Sequence, residues 1–412
     1  MSKPRLPWQA SRSEGHMHQQ DSASTEASRK TILVVGTNAG QADLIRYMRT
    51  RGWRVLACSK LADEPGRELC DEFFQVDVRD VERVVALARA QDVDLVYSVS
   101  SDTTNGTAVK VSEALGLPHF HSSELIRILD NKHKLREILN EHGISVVKFR
   151  HAATLEDASG WSHYPCFVKP DASQGQRGIS KVDRREDLEA AFQAAKAVGG
   201  ANSSVIIEEF LAGIEIPFNV LVKDGGIVFC EPNERLFISE AFIGLAGGHV
   251  HPCYNVPAEQ QQAAHELVRA LIELLHIKDG PLYVQVMVTK DGPKVVEIGP
   301  RVDGGHLWRL FAAAGHPDYI DLTMRVLLRE PLPLPRPRNG EAPRCELIFY
   351  RAPTGSLFAA ANHPIPKDAL YSEYRYHDGE VIKPVNGKFE VVGYYVRAVD
   401  TEESAKYAAN VR

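Results

Sequence analysis

The sequence predicts an α/β protein in three parts. A doubly wound α/β domain covers 31–120, a two-lobed α+β unit covers 121–330, and a small, mostly β extension covers 331–412. Three observations predict this. Short apolar runs alternate with helical patterns up to residue 120, as parallel strands and their crossover helices do. Strand-like runs then dominate 145–235. A proline-rich segment at 331–338 marks the last boundary.

Order is expected from Thr31. The first 30 residues are rich in Ser, Gln and His and lack an apolar core, so they read as a disordered tail and not a signal peptide. His16 and His18 lie in that tail, where solvated side chains are the plainer reading than a metal site. Thr31–Gly36 is a buried-strand pattern ending in glycine, and Trp53–Cys58 and Asp94–Ser100 are similar. Helical spacing appears over 41–51 and 79–91. A further helix runs to Leu115 and stops at Gly116, with Pro118 beyond. Gly36-Thr-Asn-Ala-Gly40 falls short of a dinucleotide fingerprint and reads as a tight strand-to-helix turn. Ser100, Ser101 and Asp102 lie at the carboxyl end of a strand, where α/β sheets hold ligands.

Residues 122–142 read as helix. The next part holds strands at 165–169, 178–182, 204–208 and 214–223, with a helix at about 184–198. A Gly-rich lobe is expected over about 145–211. A helix follows at 257–276. Two strands, Leu282–Thr289 and Lys294–Ile298, are joined by the hairpin turn Lys290-Asp-Gly-Pro293.

Composition narrows the function. The 412 residues are 44% apolar and 25% charged, with a net charge of −6 and both signs mixed. This is an ordinary globular composition without the basic face a nucleic-acid partner needs, and no apolar run is long enough for a membrane span. Six scattered cysteines without a CxxC pair read as reduced thiols, which predicts a cytoplasmic protein.

Three signals carry chemistry. Lys169 ends an apolar strand and precedes a loop containing Ser173, Gly175 and Gly178. A lysine beside a mobile loop can neutralise phosphate while loop N–H groups close over it. The loop returns into a strand, so it is not a P-loop. Val205-Ile-Ile-Glu-Glu-Phe-Leu211, followed by Glu215, can offer backbone to a base and a carboxylate to ribose hydroxyls. Gln285 and Glu297 lie on the two strands of the hairpin, and Gly299-Pro-Arg301 continues the second. Two oxygen ligands there can share a hard cation, with Arg301 where negative charge develops. Read singly, each signal also suits a surface hairpin or an edge strand with solvated acids.

Taken in this order, with Lys132 in Asp130-Asn-Lys-His-Lys-Leu135, these residues resemble the ATP-grasp superfamily, of the carboxylate–amine ligase type that includes dipeptide ligases. The resemblance spans about 31–412. It implies a pre-ATP-grasp α/β domain, a two-lobed ATP-grasp and a C-terminal extension. It also implies the cofactors ATP and Mg²⁺, with Mn²⁺ able to substitute, small-molecule carboxylate and amine substrates, and a homodimer as a common assembly. By the same resemblance, Lys132 and Lys169 contact phosphates and residues 173–178 cover them. Glu208, Glu209 and Leu211 clamp adenine, Glu215 holds ribose, Gln285 and Glu297 bind metal, and Arg301 steadies the acyl-phosphate step.

Two positions depart from the pattern. Gln285 stands where an acid is usual, as in carbamoyl phosphate synthetases. Gly299 stands where the family has a metal-binding Asn. Arg235, His249, His251 and His306 are candidate substrate contacts, each with an equal reading as an ordinary surface or structural residue. A ligase using an amino acid is therefore expected. A bicarbonate-dependent carboxylase or carbamoyl-phosphate enzyme, a nucleotide-binding protein without turnover, and an NAD-dependent enzyme are the competing readings.

Overall fold

The computed structural model describes residues 29–171, 177–200, 203–238, 245–334, 343–384 and 389–399. Strands β1 (Thr31–Val35), β2 (Arg54–Ser59), β3 (Glu72–Gln75) and β4 (Leu95–Tyr97) form a parallel sheet in the order β3-β2-β1-β4. Helices α1 (Ala39–Thr50), α2 (Val81–Ala90) and α3 (Asp102–Leu115) pack on it. Each helix starts at a residue whose side chain accepts a backbone N–H: Asn38, Asp80 and Ser101.

The single helix expected over 122–142 is two, α4 (Ser123–Leu129) and α5 (Lys132–Glu141). Asn131 separates them because its Oδ1 accepts the Lys134 N–H at 3.0 Å and so caps a new helix, placing Lys132 at its first position. Strands β5 (Phe149–Ala152), β6 (Cys166–Pro170), β7 (Ser180–Val182) and β8 (Val205–Glu209) form an antiparallel sheet in the order β5-β8-β6-β7. Helices α6 (Leu155–Ser159) and α7 (Leu188–Gly199) belong to this lobe, whose own small core includes Val168, Val182, Phe192 and Ile207.

The third sheet contains β9 (Gly213–Glu215), β10 (Phe218–Lys223), β11 (Gly226–Pro232), β14 (Gly280–Thr289) and β15 (Gly292–Gly299). The run expected as one strand over 214–223 is divided at Pro217, which has no N–H to donate, and both pieces pair with β14. A fourth sheet joins β12 (Glu234–Phe237) and β13 (Ala246–His251) to β16 (Cys345–Pro353), β18 (Phe389–Ala398) and β17 (Tyr371–Tyr374). Helix α8 (Ala258–Leu274) buries Ala264, Val268, Leu271 and Ile272 against the third sheet. Helices α9 (Leu307–Ala313) and α10 (Tyr319–Leu327) follow it. No described helix is long and apolar enough to cross a membrane.

Candidate active site

Lys169 is the penultimate residue of β6, and register pairs its strand with β8. Its Nζ donates to Glu208 Oε2 at 2.5 Å, and Glu208 Oε1 accepts from Arg136 Nε. Arg136 also donates from its NH1 group to the Val295 carbonyl at 2.6 Å and from NH2 to that of Val296 at 3.4 Å. One guanidinium therefore ties the β6–β8 lobe to the strand segment immediately before Glu297. Burial alone would raise the Glu208 carboxyl, but Arg136 and Lys169 hold it down to about 2. Arg136 had no signal in the sequence beyond its place one helical turn after Lys132.

The neighbouring strand end is also engaged. Glu209 Oε1 accepts the Lys148 N–H at 2.7 Å, and Phe210 donates its N–H to the Pro165 carbonyl at 3.1 Å. Leu211 leads from β8 towards β9. Lys132 donates its backbone N–H to the Asp171 carbonyl at 3.3 Å, which places α5 beside the start of the Gly-rich loop. Ser173 and Gly175 lie outside the described residues. Gly178 has a packing reason of its own. Its φ is +72°, and a Cβ there would come within 2.9 Å of Pro170.

On the third sheet, Gln285 and Glu297 are register partners across the β14–β15 pair, with a bulge directly after Gln285. Arg235, on β12, donates to Glu215 Oε1 at 2.8 Å and to Gln285 Oε1 at 3.3 Å. The residue expected to hold substrate thus lies against the residues expected to hold ribose and metal. A neutral amide suits position 285, since it accepts from a guanidinium without becoming a second carboxylate beside Glu297.

Arg301 is clasped by Asp102 at the start of α3, through its Nε to Oδ1 and through NH2 to Oδ2 at 3.0 Å. Burial pulls its guanidinium down, but Asp102, with Glu297 and Asp303 further away, carries it above the usual arginine range. Asp130 lies near this pair, among Lys132, Glu297 and Arg301. Desolvation first, then Asp102, push its carboxyl up to about 6.

The remaining candidates are buried. The His249 Nδ1 pairs with Asn233 Oδ1 at 2.6 Å, and burial followed by the charge of Arg235 drives its ring well below the usual histidine value. His306 Nε2 accepts from Arg375 at 3.1 Å, so its proton lies on Nδ1, which faces Asp43 Oδ2 across 3.7 Å. Asp43 is gripped by Trp308 Nε1 at 2.9 Å and by Arg309 at 2.6 Å. Arg351, on β16, is pushed down to about 10 by desolvation and then by the charges of Arg235 and Arg375. Desolvation likewise lowers Arg375, and its Nε is buried without a hydrogen-bond partner. The two arginines lie near Glu390, whose carboxylate counters the charge of both. The sequence reading missed both, because the tail showed only a β pattern. His251 is on the same strand as His249 but pairs with His316, at 2.9 Å between Nε2 atoms.

Comparison with known proteins identifies one domain. Residues 162–308 match the ATP-grasp domain family. The chain carries an ATP-grasp domain. That span contains Lys169, Glu208, Glu215, Gln285, Glu297, Arg301 and His306, while Lys132 and Arg136 precede the ATP-grasp match. The chain is similar to the formate-dependent phosphoribosylglycinamide formyltransferase of Prochlorococcus marinus (strain MIT 9303), with 28% identity over 345 residues, 80% of this chain and 83% of that protein. Among solved structures, the L-amino acid ligase from Bacillus licheniformis superposes with a TM-score of 0.75 at 19% identity, over 92% of this chain and 97% of that one. The biotin carboxylase domain dimer of the Hydrogenobacter thermophilus 2-oxoglutarate carboxylase, in complex with MgADP and bicarbonate, gives 0.73 at 15% identity, over 90% and 86%. At these identities the structural likenesses establish the fold, a parallel N-terminal sheet joined to an ATP-grasp.

Proposed function

We propose that this protein is an ATP-dependent ligase that converts a carboxylate into an acyl phosphate and transfers the acyl group to an amine, releasing ADP and phosphate. The observation that carries this reading is the chain of contacts Lys169–Glu208–Arg136–Val295/Val296, which ends beside Glu297. It connects a lysine suited to phosphate with a carboxylate suited to a cation across two lobes. The relative named for formate and phosphoribosylglycinamide, and the neighbour named for L-amino acids, both fit a carboxylate–amine reaction.

The residues support a division of labour. Lys132, Lys169 and Arg301 offset charge on the phosphoryl group, so catalysis rests on positioning and electrostatics. Gln285 and Glu297 supply hard oxygen donors on adjacent strands and would hold Mg²⁺, or Mn²⁺, which would offset phosphate charge. Gly299 contributes no side chain, so Glu297 is the acidic ligand. Glu208 orients Lys169, and Asp102 orients Arg301. Arg351 and Arg375 suit a carboxylate on the substrate, which favours an amino acid as one partner. Six unpaired cysteines accord with a cytoplasmic setting.

A phosphate-release assay over paired acids and amines, with formate, bicarbonate and amino acids among them, tests the reading. Release that needs one acid and one amine together is expected. Release driven by bicarbonate would transfer the assignment to a carboxylase. ATP binding without ADP release in every mixture would overturn ligase turnover.

A further inference from the structure

Glu231 on β11, His251 on β13 and His316 after α9 bring three ligating side chains together, with one donor atom of each within 4.8 Å of the others. His251 Nδ1 lies 2.8 Å from the Pro232 carbonyl. A carbonyl accepts, so that nitrogen holds the ring proton and the Nε2 lone pair faces outward. It meets His316 Nε2 at 2.9 Å, with the ring centroids 4.8 Å apart and the planes at 66°. His316 presents its other nitrogen, Nδ1, to Glu231 Oε1 at 3.1 Å, where a carboxylate favours the proton. Glu231 Oε2 is 3.9 Å from His251 Nε2. The Nε2 atoms of both histidines therefore meet beside the Glu231 carboxylate, close enough for all three side chains to share one cation.

Aromatic side chains surround the two rings. Phe311 packs on both rings, at 5.2 Å from His251 and 5.8 Å from His316, and Phe229 lies 5.9 Å from His316. The imidazole side chains are 3% and 5% exposed, and a neutral imidazole is the form that ligates a metal. Glu231, at 30%, opens the cluster to solvent. Two imidazoles on a tetrahedral zinc sit about 3.3 Å apart, so the pair needs to open by only ~0.4 Å.

We propose that Glu231, His251 and His316 bind one divalent transition-metal ion of the zinc class, separate from the nucleotide's Mg²⁺. Two imidazoles and a carboxylate select such an ion over Mg²⁺, and the fourth position is left for water. The ion would fasten β11 and β13 to the turn after α9, the helix that follows the Glu297–Arg301 segment. The proposal does not depend on ligase turnover.

The test is Co²⁺ titration of the chelator-stripped full chain, followed by visible absorption. One equivalent per chain with four-coordinate bands is expected, displaced by Zn²⁺ and not by Mg²⁺. The bands should vanish in His316→Gln, checked for native circular dichroism, and weaken at least tenfold in affinity in Glu231→Gln, a partly exposed position that leaves the core intact. They should persist in the His16→Ala/His18→Ala double variant. Zn²⁺ should raise the unfolding temperature of the wild type and not that of His316→Gln. Absent stoichiometric binding, bands that survive His316→Gln, or bands lost instead in His133→Ala at the His133–His151–Asp171 cluster, would each overturn the proposal.

Discussion

Replacing Glu208 with Gln removes a charge that two cations share. Glu208 is 4% exposed and accepts from Lys169 at 2.5 Å and from Arg136. Its carboxyl is held from 4.5 to about 2. At about 1.4 kcal/mol per unit, that difference is worth roughly 3 kcal/mol of folded-state stabilisation. Breaking a buried pair by removing one partner costs ~3–5 kcal/mol, which agrees. The folded value lies below the unfolded one, so the contribution is complete above pH 4.5 and is lost as pH falls through 2. At pH 7 the variant should lose all of it. Hydrogen-exchange protection in α5, β6 and β8 should then fall by roughly 10²-fold. At pH 3 the gap between variant and wild type should shrink to less than about half. Unchanged protection at pH 7 would refute the idea that Glu208 joins the lobes through Lys169 and Arg136.

Three further outcomes are expected. Glu297→Gln should lower ADP release by roughly 10³-fold while ATP binding persists, because several kcal/mol of charge stabilisation is lost; near-normal release removes the metal assignment. A Cβ at Gly299 would meet the Arg301 guanidinium carbon at 3.5 Å, an ordinary contact. Gly299→Asn should therefore fit and reduce the Mg²⁺ concentration for half-maximal rate by about tenfold, as one added ligand can; an unchanged or higher requirement counts against Gly299 as the gap in the metal site. Asp102→Asn should leave Arg301 poorly oriented and reduce kcat by at least about tenfold. Wild-type kcat in that variant would show that the N-terminal domain does not position Arg301.

Much of the site was legible because local pattern places it. Lys169 ends an apolar strand, and the hairpin turn makes Gln285 and Glu297 register partners. Asp102 was visible as a strand-end residue, but its partner was not, because the Arg301 contact spans 199 positions. Arg136 was hidden likewise, since a helical arginine shows nothing of the Glu208 carboxylate 72 residues away. Arg351 was hidden too, since the Arg375 charge that acts on it is brought near by the fourth sheet. Helix breaks were lost where a cap interrupts a continuous pattern, as at Asn131.

That fourth sheet bears on how the chain is made. β13, which carries His249 and His251, pairs with β16, and β16 with β18 near the end of the sequence. On the ribosome, the strands that carry Lys169, Gln285 and Glu297 emerge well before the partner of β13. Until Cys345–Pro353 follows, a growing chain presents β13 as a bare sheet edge, the kind of surface that captures other chains. Truncation inside 331–338 would freeze the molecule at that stage: an adhesive precursor without Arg351 and Arg375, rather than a smaller enzyme.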